Sequence, residues 1–198
     1  MLTRLNEQNE QKIAGERHIK DRTVSLSDPD MRPIKKGKSH PDCEFGTTAQ
    51  MTFNRDGFMI TVENFIGNPG DKKIFADTYD LFTDRMQGFP VTVVTDGGYR
   101  NPGNIENLPP QTENVFMGRS SDVCADQRDF CLSARSATEG FIAVAKNLRG
   151  FGRSLYRGLK GHRIWSLLCQ TAYNLKKFLL LWFADEISEE SLTKLGPG

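Results

Sequence analysis

Apolar and polar residues alternate along the first half of the chain in a pattern that predicts a β-hairpin and then a helix. Residues 47–53 and 58–65 alternate as half-buried strands do, and Asn54-Arg-Asp-Gly57 between them supplies an Asp-Gly turn. The polar stretch Asn68-Pro-Gly-Asp71 ends the second strand and caps the next element. Over residues 72–87 the apolar residues recur at the spacing of one helix face, so we predict an amphipathic helix there.

The second half of the chain combines short apolar runs with longer helical patterns. Val91-Thr-Val-Val-Thr95 predicts a buried strand, and residues 114–117 predict another. A helix that contains Glu139 is expected to end near Asn147, and a buried helix is expected over residues 161–183. The smaller predicted elements are a polar helix near Asn104 and a loop over residues 118–130. This order of elements fits an α/β domain, with a mixed sheet flanked by helices as in the RNase H-like fold.

The two ends of the chain lack the clear patterns of its middle. Residues 1–40 are polar and low in aromatic side chains, and only Thr23-Val-Ser-Leu26 resembles a short strand. We therefore predict a poorly ordered segment over residues 1–40, a core over residues 41–184 and a flexible tail over residues 185–198. The N-terminus has no apolar leader, and polar residues interrupt the apolar window of the last helix. We therefore expect a cytoplasmic protein without a membrane partner.

Charged residues are distributed unevenly, although the net charge is only +1. Residues 42–87 contain eight acids and four bases, whereas residues 140–184 contain eight Lys or Arg and no acid. Such an asymmetry indicates a polyanion partner on the C-terminal side. The predicted loop over residues 153–163 contains glycines and a cation every few residues, as phosphate-binding loops do. Its candidate DNA-binding residues are Arg153, Arg157, Lys160 and Arg163.

Three charged residues, Arg135, Glu139 and Lys146, fall on one stripe of the predicted helix, because steps of four and seven residues return to nearly the same face. Upstream, the predicted strand delivers Asp96 into the turn Gly97-Gly98. An acid at the carboxyl end of a strand and an acid on a later helix suit divalent-metal phosphoryl chemistry on nucleic acid. Taken separately, the same residues are typical of a solvated helix face and of a turn, so spacing alone leaves both interpretations open.

Several blocks of sequence, taken in order, resemble DDE-type insertion-sequence transposases of the branch with a Tyr-Arg-Glu-Lys signature. The resemblance extends from about residue 20 to about residue 182. Each block alone is weakly specific for the family, but the blocks occur in the same order as in the family, and this makes the resemblance strong. The matching blocks are residues 40–46, Gly67-Asn-Pro69, Val93-Val-Thr-Asp96-Gly-Gly-Tyr99, Arg135-Ser-Ala-Thr-Glu139 with Lys146, Tyr156 to Arg163, and Ala172-Tyr-Asn-Leu175.

The resemblance implies that Asp96 and Glu139 are the second and third members of a metal-binding triad, with Mg²⁺ or Mn²⁺ as the cofactor. It further implies that Arg135 and Lys146 contact DNA phosphates near the scissile bond. In such sites two ions about 3.5–4 Å apart activate the nucleophile and stabilise the leaving oxygen. The implied partners are duplex DNA at the element ends and at the target, and either a second copy or an intact transposase. The implied location is the nucleoid.

The chain departs from the family pattern at three points. Leu132 stands where the signature has its Tyr, and Gly97 follows Asp96 where a cation is common. The family's first acid normally lies on an upstream strand, so we expect an RNase H-like fold that lacks its first strand and is incomplete as a catalyst. Two alternatives stay open, a non-catalytic DNA-binding or regulatory remnant and an unrelated RNase H-like nuclease with Asp28 as its first acid. The sequence Asp28-Pro-Asp30 is more typical of a turn.

Overall fold

The computed structural model describes residues 2–35, 43–118 and 125–194. Within them the helices are α1 (Leu2–Ile13), α2 (Asp71–Met86), α3 (Pro102–Glu106), α4 (Ala125–Leu148) and α5 (Gly158–Lys194). The strands are β1 (Arg32–Lys35), β2 (Cys43–Phe53), β3 (Met59–Ile66), β4 (Thr92–Thr95) and β5 (Asn114–Met117). A single 3-10 turn, Gly97–Tyr99, follows β4.

The predicted hairpin is confirmed as β2 and β3, which pair antiparallel with Thr47 opposite Ile66. Its turn depends on Gly57, where φ is 79° and a Cβ atom would lie 2.6 Å from the ring of Phe141. Glycine alone accepts both this conformation and this close approach without strain. The turn therefore packs directly against α4.

The structure confirms most of the predicted elements between the hairpin and α4. The helix after the hairpin, the strand before Asp96, the short helix near Asn104 and the strand over residues 114–117 are all present. The predicted loop over residues 118–130 is wrong for residues 125–130, which begin α4, while residues 119–124 lie outside the described residues. Most side chains of these first turns are exposed on the helix surface, so their polarity does not indicate a loop. Cys131 then anchors α4, because it is fully buried with Phe116 of β5.

Helix α5 extends beyond both of its predicted ends. It starts at Gly158 because the carboxylate of Asp30 accepts a hydrogen bond of 2.8 Å from the Leu159 amide and so caps the helix. Lys160 and Arg163 therefore lie on a helix and not in the predicted loop. At its other end α5 continues through residues 185–194, where we expected a flexible tail; residues 195–198 lie outside the described residues.

Only one face of α5 is buried, so the prediction of a buried helix is correct only in part. The side-chain amides of Gln170 and Asn174 bond to the backbone of Met59 on β3, and Tyr173 joins the core beside them. These contacts explain why polar residues interrupt the apolar window. Further along, Leu180 is 58% exposed. Among the described residues, no helix is both long enough and apolar enough to cross a membrane.

Residues 2–35, for which we predicted a poorly ordered segment, contain α1 and β1. The side-chain amide of Gln8 accepts a hydrogen bond of 2.7 Å from the Thr23 backbone N–H, and it donates one of 3.3 Å to the Thr23 backbone carbonyl. Residues 23–26 consequently form no strand, contrary to the prediction. β1 pairs antiparallel with β2, and Arg32 on β1 forms an ion pair of 2.6 Å with Asp21. These polar contacts order a segment that contains few apolar residues.

The strands form two sheets instead of the one mixed sheet that we expected. β1, β2 and β3 form an antiparallel sheet in that order, and β4 and β5 form a parallel pair with Thr92 opposite Asn114. Among the described residues, no ladder of hydrogen bonds joins β2 to β4. β4 is half-buried and not buried as predicted, because one of its edges has no strand beside it in the described part of the chain. The α/β class is thus confirmed, with a sheet divided in two.

Candidate active site

Asp96 occupies the carboxyl end of β4, at the start of a tight turn. Its Oδ1 accepts a hydrogen bond of 2.6 Å from the Gly97 amide, which caps the 3-10 turn. The chain after β5 passes close to this turn at Gly118, where φ is 72° and a Cβ atom would lie 2.6 Å from the Gly97 Cα. The turn and the end of β5 thus hold the Asp96 backbone at the edge of the parallel sheet.

Arg135 on α4 joins the two predicted acids. Its Nη2 lies 3.1 Å from Asp96 Oδ1, and its Nε lies 3.5 Å from Glu139 Oε1, one helical turn away. The Asp96 and Glu139 side chains are 67% and 69% exposed. Ion pairs with this exposure contribute only about 0–1 kcal/mol to stability. The arrangement therefore brings two carboxylates to one guanidinium, and breaking these two ion pairs would cost little free energy.

Asp71, the first residue of α2, is a third acid at this site, although its place in the sequence predicted only a capping role. Its Oδ2 lies so close to Gly98 that a Cβ atom there would collide with it. Burial raises the pKa of the Asp71 carboxyl, and the negative charge of Asp96 raises this pKa further. A bound cation would relieve this repulsion between the two carboxylates.

Tyr99 closes the buried side of the site. Its hydroxyl donates a hydrogen bond of 2.6 Å to Gln50 Oε1 on β2. Burial, together with the negative charges of Asp71 and Asp96, raises the pKa of Tyr99 to about 12. Tyr99 is therefore a neutral hydrogen-bond donor at neutral pH, and it ties the Asp96 turn to the hairpin.

The carboxylate oxygens at this site are of the type that binds a hard divalent cation, although few of them point to one place. Asp96 and Glu139 offer carboxylate oxygens, the ligands that Mg²⁺ prefers. Within the described residues, however, no three His, Cys, Asp or Glu side chains are arranged to hold a metal ion. Arg135 contacts both acids, so a metal would have to displace its guanidinium.

A comparison with protein-family models decides the family. The model described as the transposase DDE domain matches residues 20–175. The chain belongs to this family. The matched range of the transposase domain includes the hairpin, the Asp96 turn, α4 and the first half of α5. No curated protein and no solved structure matches the chain. The family resemblance drawn from the sequence blocks is thus confirmed.

The predicted DNA-binding residues of the transposase domain lie in different settings. Lys146 is exposed in the last turn of α4, about 16 Å along the helix from Arg135. Arg153 and Arg157 are exposed in the segment between α4 and α5, and Lys160 is exposed on the first turn of α5. Arg163 differs from these residues, because its Nη2 pairs with Glu63 Oε1 at 2.5 Å.

Asp28 does not belong to this site. The residue is 2% exposed. Its Oδ2 lies 3.1 Å from Nε2 of His162, which is also buried, but the two atoms are not in hydrogen-bond geometry. The other ring nitrogen of His162 shares a hydrogen bond of 3.0 Å with the Thr47 hydroxyl. His162 of α5 thus connects Asp28 in the N-terminal segment to Thr47 on β2. The structure therefore gives no support to Asp28 as a first catalytic acid, and that alternative stays an untested prediction.

Proposed function

We propose that this transposase domain acts on duplex DNA in the cytoplasm, at the nucleoid, by metal-dependent phosphoryl transfer for the movement of an insertion sequence. The observation that supports the proposal is the contact of Asp96 and Glu139 with a single guanidinium, that of Arg135. Two carboxylates that share one cation in this way can share a metal ion. The family also implies an RNase H-like fold, into which the two sheets would fit as parts of one larger sheet.

Asp96 and Glu139 would hold Mg²⁺ or Mn²⁺, and the bound metal would activate the nucleophile and stabilise the leaving oxygen. Arg135 would move from the acids to a phosphate oxygen, because its guanidinium suits both partners. Asp71 adds a third carboxyl group beside Gly98, and its pKa is raised by burial and by the negative charge of Asp96.

The exposed cations would position the DNA by contacts to its phosphates. Lys146, Arg153, Arg157 and Lys160 face solvent and lie within the acid-free part of the chain. Arg163 is a weaker candidate than the sequence indicated, because Glu63 already neutralises it. A homodimer, or assembly with an intact transposase, would be the working form of the domain.

A regulatory remnant that binds DNA without cutting it is the second candidate function. The observation that favours it is the pairing of both candidate metal ligands with Arg135, together with the lack of a three-ligand cluster among the described residues. Such a domain would occupy element ends and block an intact enzyme.

Metal binding tests the assignment of the two acids. We expect Mn²⁺ to bind weakly, and we expect Asp96→Asn and Glu139→Gln each to weaken binding by about tenfold or more, since each removes a charged ligand. Arg135→Ala should tighten binding, because it removes the cation that competes for both carboxylates. Electron paramagnetic resonance of free Mn²⁺ measures these affinities. The exposed Glu113→Gln is the matched control, and equal binding by all four variants would contradict the shared site.

Salt-dependent DNA binding tests the cationic surface. Each neutralised phosphate contributes a slope of about −0.9 in log K against log salt, so loss of three contacts should flatten the slope by roughly two or more. The test variant replaces with Ala the residues Arg153, Arg157 and Lys160. The control removes the same charge from α2 by Ala replacement of Lys72, Lys73 and Arg85. Fluorescence anisotropy of a labelled duplex gives both slopes, and an equal slope in the test and control variants would identify the surface as merely solvated.

A further inference from the structure

A cavity of about 390 Å³ lies between the two sheets. Four consecutive residues of β2, Gln50 to Phe53, line one side of it, and five consecutive residues, Thr92 to Asp96, line the opposite side. Neighbouring residues of a strand point to opposite faces of a sheet. A cavity lined by an unbroken run of a strand must therefore lie along the edge of that strand and not on one of its faces.

Along the cavity both of these edges are open in the described part of the chain. β3 pairs with β2 and β5 pairs with β4, yet neither β3 nor β5 lines the cavity. The cavity consequently lies on the far side of β2 from β3, and on the far side of β4 from β5. On that side β1 pairs only with residues 43–46 of β2, which leaves residues 50–53 without a described partner. These residues face the edge of β4 across the cavity, and both edges present backbone N–H and C=O groups.

Two helices cover the remaining sides, so the cavity is a slot and not an open groove. Phe75 and Phe82 of α2 line it, as do Thr138 and Ile142 of α4. A strand between these helices would be buried on both faces, which favours a run of apolar residues over alternation. Four residues of extended chain span about 13 Å, the length of β4 itself.

Three contacts place β2 beside β4 across the slot. Tyr99, just after β4, bonds to Gln50, and Arg135 of α4 contacts Asp96, which places Gln50 near the carboxyl end of β4. Phe141, almost two turns further along α4, packs against Phe53 with ring centroids 5.5 Å apart. Helix α4 thus passes from β4 to β2 over the slot. A strand in the slot can pair with both edges, because ladders form between parallel and between antiparallel neighbours.

The ends of the slot differ in charge. Asp71, Asp96 and Glu139 line the end beside the carboxyl terminus of β4, and Arg135 is the one cation among the described lining residues. Three carboxylates against one guanidinium favour a positive charge at this end. Along the rest of the slot, the lining is uncharged and combines apolar side chains such as Met51, Val94 and Ile142 with several threonines.

We propose that the slot accepts an extended segment of another polypeptide by strand addition. The segment has four or five apolar residues and places a Lys or Arg beside Asp96. Main-chain hydrogen bonds to β2 and β4 supply affinity, while the two helices and the acids supply selectivity. This proposal does not depend on DNA chemistry, and it would stand if the chain bound no metal.

A labelled peptide of the sequence Gly-Val-Ile-Val-Ile-Lys, assayed by fluorescence anisotropy with EDTA present, tests the proposal. We expect saturable binding, and we expect about tenfold weaker binding when alternate residues of the peptide are N-methylated, since this removes ladder donors and keeps the apolar surface. A peptide that ends in Glu instead of Lys should also bind more weakly. Its disadvantage should shrink in Asp96→Asn, because that variant removes one repelling charge.

Two variants of α4 provide the matched test on the protein. Thr138→Trp puts a large side chain into the slot, whereas Ala137→Trp puts the same side chain on the exposed face one residue away. The first should abolish peptide binding and the second should preserve it. Hydrogen exchange should slow at residues 50–53 and 92–96 when the peptide binds. Equal binding of the N-methylated peptide, or no protection of these two strands, would overturn the proposal even if Thr138→Trp failed to fold.

Discussion

Supercoiled plasmid should remain intact when it is incubated with the purified chain in Mg²⁺ or Mn²⁺. Cleavage by two metals needs carboxylates that hold both ions, and the described residues bring two acids to one guanidinium without a set of three ligands. When a ligand common to both ions is missing, the second ion is weakly held, and the rate falls by several orders of magnitude. Agarose gels that separate supercoiled from nicked plasmid measure the outcome.

Variants distinguish activity of the chain from that of a contaminating nuclease. Nicking that disappears in Asp96→Asn and persists in the exposed control Glu113→Gln would contradict the expectation. If Asp71→Asn also removed the nicking, Asp71 would be the third ligand, which its position beside Gly98 allows. Loss of nicking in the folded Asp28→Asn variant would restore the rival assignment that the structure disfavours.

His162→Ala should lower the free energy of unfolding by about 3 kcal/mol, because it leaves the buried carboxylate of Asp28 without the imidazole that lies 3.1 Å from it. The hydroxyl of Thr47 loses its partner as well. Such a change shifts the folding equilibrium by about a hundredfold. Urea unfolding followed by circular dichroism measures it.

A double variant shows whether the pair itself is the cause. Adding Asp28→Ala to His162→Ala removes the stranded carboxylate, so it should recover part of the lost stability. The exposed His18→Ala is the matched control and should change stability by no more than about 0.5 kcal/mol. An unfolding midpoint of His162→Ala equal to that of His18→Ala would show that this contact stabilises nothing.

Local sequence signals predicted the middle of the fold well. The Asp56-Gly57 turn and its flanking alternation specified the hairpin, and the spacing of apolar residues specified α2. The spacing of Arg135 and Glu139 likewise predicted their shared helix face, which the ion pair between them confirms. Each of these features depends on residues close together in sequence.

Features that depend on distant residues were not predictable in the same way. The start of α5 depends on Asp30, and the order of residues 2–35 depends on contacts such as that between Gln8 and Thr23. Asp71 was interpreted only as part of a helix start, because its approach to Gly98 requires the packing of α2 against the Asp96 turn. Polar residues at such positions have no periodic signal, since each makes one specific contact.

The cap that Asp30 places on α5 has a consequence for how the protein is made. Its partner Leu159 lies 129 positions later in the chain, so at about 5–20 residues per second the ribosome adds it roughly 6–26 s after Asp30. During that interval Asp30, in the segment before β1, has no helix to cap. Docking of this segment onto α5 is consequently a late step of folding, and a nascent chain stalled before residue 158 exposes the Asp28 carboxylate that the finished protein buries.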